Sequence, residues 1–136
     1  MSYTYKDNTK EVLSALEKAI ERGLEAIGLT AEGHAKKDPN MPVDTGLARN
    51  SIAHAVSGKE ASVSEYKADK GDKKGSYSGT APNDKEKAVY IGSNVEYFPY
   101  IELGSKSIDA RHVLKRAATD HTDEYKKLMD GSMKNA

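Results

Sequence analysis

Histidines are the first residues to ask for chemistry, and this sequence has four: His34, His54, His112 and His121. His112 and His121 are nine residues apart. On one helix, at about 100° per residue, they fall on opposite faces and cannot share an ion. His54 follows Ser51 by three residues, with Asp44 upstream, so a Ser–His–Asp set can be drawn. Triads are defined by geometry, which closeness in sequence does not supply, and a histidine on a half-buried strand is the plainer reading. Asp84-Lys85-Glu86-Lys87 has the acid-x-Lys look of a metal-dependent nuclease. Such sites hold carboxylates on a strand around a metal, whereas these lie in a polar stretch. Asp69 and Asp72 lack the spacing of a calcium loop. Gly71, Gly75 and Gly79 have no strand-then-helix flanks, so no Walker-type phosphate loop is present. Without cysteine there is no thiol nucleophile, thiolate zinc site or disulfide. The sequence is therefore read as non-enzymatic, with no catalytic, cofactor or metal site.

Composition narrows the class. Lys and Arg number 21, as do Asp and Glu, so formal net charge is zero over 136 residues. Binding through bulk charge, as in histone-like proteins, does not fit that balance. Leu, Val, Ile and Phe together make 22 residues, or 16%, under the roughly 20% at which disorder becomes common, yet without the high net charge that accompanies it. A domain of this length should bury about two-thirds of its unfolded surface. The expectation is a thin core, an unfolded segment, or a partner that completes the burial. No apolar run approaches the roughly 18–20 residues of a membrane span, and MSYTYKDNTKEV lacks the shape of a signal peptide. A protein made and used inside a cell is expected, with no membrane partner.

The elements that must position these residues follow from periodicity. Val12, Leu13, Leu16, Ile20, Leu24, Ile27 and Ala31 form a helical stripe, predicting a helix from Thr9 to about Gly33. Asn8 and Glu11 make a capping-box pattern at its start, and Asp38-Pro39 stops it. In Pro42–Ile52, Asp44 or Thr45 can cap a short turn through Arg49. From Ile52 the period becomes two, predicting a hairpin of Ile52–Val56 with Ala61–Tyr66 across a Ser57–Glu60 turn. Residues 67–87 carry six Lys against three Asp and one Glu, with Tyr77 and two Ala as their apolar residues. They read as a long mobile loop. Val89–Gly92 is a short strand. An aromatic cluster around Tyr97, Phe98 and Tyr100 follows, ending at Gly104. Asp109 can cap a last helix from Ala110 to about Met129, and residues 130–136 should fray.

The order of motifs has a counterpart. Pro42-Val43-Asp44-Thr45-Gly46-Leu47-Ala48-Arg49-Asn50-Ser51-Ile52 resembles the V-D-T-G-x-L-R-x-S-I signature of tailed-phage neck and tail-completion proteins, a family of head–tail joining and minor tail components. Val89-Tyr90-Ile91-Gly92-Ser93 resembles its V-x-[IV]-G-[ST] strand. Tyr97-Phe98-Pro99-Tyr100-Ile101-Glu102-Leu103-Gly104-Ser105 resembles its Y-A-x-[YI]-[VI]-E-[FL]-G-[TS] segment, and Ala110-Arg111-His112-Val113-Leu114-Lys115-Arg116-Ala117 its closing A-R-P-F-L-x-x-A motif. Ala48 stands in place of the family's Leu, Phe98-Pro99 in place of a small residue, and His112-Val113 in place of Pro-Phe.

The resemblance implies a single α+β domain over residues 1–136. A small antiparallel sheet is packed by a long N-terminal helix and a C-terminal helix, with a long polar loop inserted between strands. It also implies a structural virion protein, assembled in the bacterial host cytoplasm into a homo-oligomeric ring, commonly a hexamer, at the neck or tail. Its partners would be the connector or stopper and the tail-tube or tail-terminator proteins, with DNA passing through the lumen. The motif and interface candidates are Asp44, Thr45, Gly46, Arg49, Ser51, Gly92, Tyr97, Phe98, Tyr100, Glu102, Gly104, Arg111 and Leu114. Among these, Asp44 and Thr45 cap the short turn, Gly46 permits close approach, and Arg49 seeks a carboxylate, with Glu102 the candidate. Two competing readings are a small nucleic-acid-binding module using the Lys-rich loop and Tyr77, and a hydrolase or nuclease built on Asp84, Glu86 or His54.

Overall fold

The computed structural model describes residues 7–135. The leader question at residues 1–6 and the last residue of the tail lie outside it. The fold is mixed helix and strand, an α+β arrangement as expected. Its order is α1 (Thr9–Lys37), α2 (Leu47–Ser51), β1 (Ala53–Val56), β2 (Glu65–Lys67), β3 (Lys74–Ser76), β4 (Val89–Gly92), α3 (Phe98–Leu103), α4 (Val113–Thr119) and α5 (Thr122–Lys134). No described helix is long and apolar enough to cross a membrane.

Helix α1 runs past Gly33 to Lys37, because only at Asp38 does the following proline force extended backbone (φ −59°, ψ 131°). At its start the Asn8 side chain makes no cap hydrogen bond. Instead the Asp7 carboxylate accepts the Thr9 N–H at 2.9 Å. The buried face is also rotated from the expected stripe. Ala19, Gly23, Gly28, Ala31, Glu32 and Ala35 are buried, while Val12 and Leu13 stay more than half exposed. Small residues face inward because the neighbours come very close. A Cβ on Gly23 would lie 2.6 Å from Met129 Sδ of α5, and one on Gly28 would lie 2.6 Å from both His54 and Val89.

The expected 52–66 hairpin does not form. β1 pairs antiparallel with β4, Ala53 opposite Gly92 and Val56 opposite Val89, and β2 pairs with β3. Val89-Tyr90-Ile91 supplies the β-branched and aromatic side chains that a strand against a helix needs. Residues 61–64, with two serines, reach β1 through Ser62, whose N–H donates to the His54 carbonyl. Residues 67–87, expected as one loop, contain β3 and are tied to the body. Asp69 and Lys70 N–H groups donate to the Thr45 carbonyl, Ala81 N–H to that of Lys59, and Ala68 is buried in the core.

The expected last helix divides in two at Asp120-His121. The Tyr125 hydroxyl donates back to the Ala117 carbonyl across the break, and α5 turns to lie antiparallel on α1. The 130–134 stretch is helical rather than frayed; the Ser132 hydroxyl donates to the Ala19 carbonyl at 2.5 Å. The main core gathers Ala35, Met41, Leu47, Ala48, Ile52, Val95, Phe98, Val113 and Ala117.

Candidate functional site

The four motif segments fold against one another. In the first, Gly46 takes the N-cap position of α2 in left-handed backbone (φ 80°), and a Cβ there would strike the Asp69 carboxylate. Thr45 contributes through its hydroxyl, which accepts the Leu47 N–H at 3.3 Å, while Asp44 is exposed to solvent. Arg49 does not reach Glu102. Its guanidinium donates to Asp69 at 2.6 Å, and Asn50 donates to the other oxygen of the same carboxylate at 3.0 Å. The motif Arg therefore fastens the β2–β3 hairpin to α2, a partner 20 residues along the chain instead of 53.

Ser51 is fully buried. Its hydroxyl bonds the Ala48 carbonyl at 2.6 Å and the Ser93 hydroxyl at 2.5 Å, joining the first motif to the second beside Gly92. The Tyr77 hydroxyl donates to the Ser51 carbonyl, and its ring meets that of Tyr66 at 5.6 Å. Burial pushes the Tyr77 phenol up, favouring the protonated donor. Tyr77, expected within a mobile loop, is thus a half-buried tie.

Helix α3 is anchored by the buried Phe98 and the half-buried Ile101. Phe98 is 3% exposed, while Tyr97, Tyr100 and Leu103 are 43%, 57% and 71% exposed. At its end Gly104 (φ 79°) is pressed against the backbone of Ile108 and Ala110, bringing the fourth motif back alongside. Arg111 N–H donates to the Ile101 carbonyl, and its guanidinium holds the Asn40 carbonyl at 3.0 Å. His112 then adopts a left-handed conformation (φ 48°) and offers α4 no side-chain cap. Glu102 supplies the cap from outside: its two oxygens accept the Leu114 and Lys115 N–H groups at 2.8 and 3.0 Å. A carboxylate at a helix N-terminus satisfies orphan donors and meets the positive end of the dipole. Val113 is buried below, with Leu114 half-buried beside it.

The chemistry drawn from sequence is not assembled. Among the described residues Ser51, His54 and Asp44 make no hydrogen bond with one another. The buried His54 ring lies between two α1 carboxylates, Glu25 at 2.6 Å and Glu32 at 3.1 Å. Burial pushes the Glu32 carboxyl up, but hydrogen bonds from Ser62 and His54 together with the Lys36 ammonium outweigh it and hold Glu32 below its ordinary value. Asp84 and Glu86 are exposed. Comparison with protein-family models, curated proteins and solved structures gives no match.

Two further polar sites were missed in the sequence. Asp38 receives two hydrogen bonds from Arg116, at 2.8 and 2.9 Å, which hold its carboxyl below the ordinary range against the opposing effect of burial. The other lies between α1 and α5. His34 Nε2 is 2.7 Å from Glu124 Oε1, and the His34 and His121 rings stack 3.5 Å apart, 1° from parallel. His121-x-x-Glu124 is a pair legible at helical spacing, but its partner His34 lies 87 positions earlier, beyond the reach of any spacing rule.

Proposed function

We propose that the chain is a structural subunit of a tailed-phage virion. It forms a ring, in the family's manner a hexamer, at the head–tail junction, joining connector to tail around a lumen for DNA. The motif order is the starting point. The observation that carries the assembly reading is α3: Tyr97 at its N-cap and Tyr100 and Leu103 within it are exposed, while Phe98 and Ile101 hold the helix on the core. Such uncovered apolar groups, aromatics above all, mark contact surfaces.

Rings repeat one heterologous interface about an axis, so α3 on one subunit would meet a different surface on the next. The zero net charge suits a conduit that must release DNA, since binding strength comes from Lys and Arg neutralising phosphates. The test is mass measurement of the purified protein, alone and with connector and tail proteins, by native mass spectrometry. A defined ring should appear in at least one of these mixtures. Tyr100→Asp with Leu103→Asp should abolish it while leaving the melting temperature unchanged, as both side chains are exposed. A monomer in every mixture, or a ring indifferent to the double substitution, would overturn the reading.

A further inference from the structure

We propose that His34, His121 and Glu124 form a three-ligand site for a divalent transition-metal ion of the zinc class, clasping α5 to α1. The donors come from two elements: His34 from the last turn of α1, and His121 and Glu124 one turn apart at the start of α5. One ligand atom from each lies within 4.8 Å of the others. Two imidazoles with one carboxylate are a donor set that zinc takes with water in the fourth position. Bonds of about 2.0–2.2 Å at tetrahedral angles put ligand atoms about 3.3 Å apart. The present separations reach that by turning side chains, the two rings leaving their parallel stack to converge on one point.

The surroundings permit a cation. Arg116, near the same depression as His34 and His121, is committed to Asp38, which leaves Lys37 as the chief repulsive neighbour and Asp120 to oppose it. The site is half open, so an ion can enter and keep a water. An ion here would add to the close packing of Met129 and Ser132 on Gly23. Helix α5 has no fully buried residue, and its polar ties to α1 are the Ser132–Ala19 and His34–Glu124 contacts. An ion bonded to both helices would hold the pair in register independently of any ring contact.

The experiment is calorimetric titration of chelator-stripped full-length protein with zinc chloride, followed by thermal melts with zinc or magnesium. One zinc per chain should bind, and a hundredfold excess over Kd should raise the melting temperature by roughly 8 °C, with magnesium inert. His121→Asn keeps a good N-cap residue, and Glu124→Gln keeps shape; each should weaken binding at least about tenfold, since even changes to groups that only support a ligand typically cost that much. His112→Asn, whose side chain tolerates the left-handed backbone, should bind as the parent does. Absence of zinc binding, or binding unaltered to within about threefold in both ligand variants, would overturn the site.

Discussion

The cap that Glu102 lends to α4 can be measured. Its two oxygens accept the N–H groups of Leu114 and Lys115, and α4 has no cap of its own, since His112 is left-handed. Glu102→Ala removes both acceptors. Because the site is half-buried, water replaces them in part, and the cost should fall near that of a lost N-cap, about 1–2 kcal/mol. For a domain of this size that is a drop in melting temperature of about 3–7 °C. Glu102→Gln keeps one acceptor and loses the charge, so it should fall about midway. Arg49→Ala supplies the contrast. If Arg49 and Glu102 were partners, both alanine variants would lose the same interaction, and the double variant would cost no more than one. Arg49 instead bonds the exposed Asp69, so its loss should cost under about 1 kcal/mol and add to that of Glu102→Ala. The assay is thermal unfolding followed by circular dichroism at helix wavelengths. A Glu102→Ala protein melting within about 1 °C of the parent, or a double variant no worse than the worse single one, would refute the cap.

Two further outcomes follow from the packing and the ion pairs. Gly28→Ala puts a methyl 2.6 Å from His54 and Val89 and should destabilise by about 1–3 kcal/mol. Gly33→Ala in the same helix meets open space and should stabilise by up to about 1 kcal/mol through helix propensity; urea unfolding that gave both changes one sign would contradict the close contact at Gly28. Asp38 titrates lower when folded than unfolded, so its contribution is complete above the ordinary carboxylate value of about pH 4 and is lost as pH falls through the lowered one. The melting temperature should therefore fall in that acid window, less steeply in Asp38→Asn; parallel slopes would show that the Arg116 pair does not carry the effect.

What the sequence disclosed and what it hid divide along local and long-range physics. Helix α1, the extended break at Asp38-Pro39 and the β4 strand are local in origin, legible from periodicity, proline and β-branched and aromatic residues respectively. The partner of β1 was hidden because 61–66 lies nearer in sequence, while the apolar content that β1 required lay at Val89–Ile91. The break at Asp120 was hidden because the apolar stripe continues across it; the turn is stabilised by contacts of α5 with α1. In the candidate site, the turn at Gly46 was legible from glycine chemistry. The carboxylate that serves Arg49 and the cap that serves α4 are tertiary, and no spacing rule points to Asp69 or assigns Glu102 to Leu114.

The low count of large apolar residues takes on a definite meaning in the structure. Val12, Leu13, Leu29, Val43, Leu103 and Ile108, six of the 22, are half or more exposed. Alanine and glycine, with Glu32, hold the buried face of α1. Dispersion depends on contact distance, so elements that approach to the limit set by a missing Cβ can cohere with little side-chain volume. Such packing fixes few large groups and leaves the remainder on the outside, notably on α3 and at the start of α1. Under the proposed assembly, Val12 and Leu13 would be surface for a neighbouring subunit to cover. The inward rotation of the small-residue face is therefore the arrangement expected if part of this chain's hydrophobic core is completed by its neighbours.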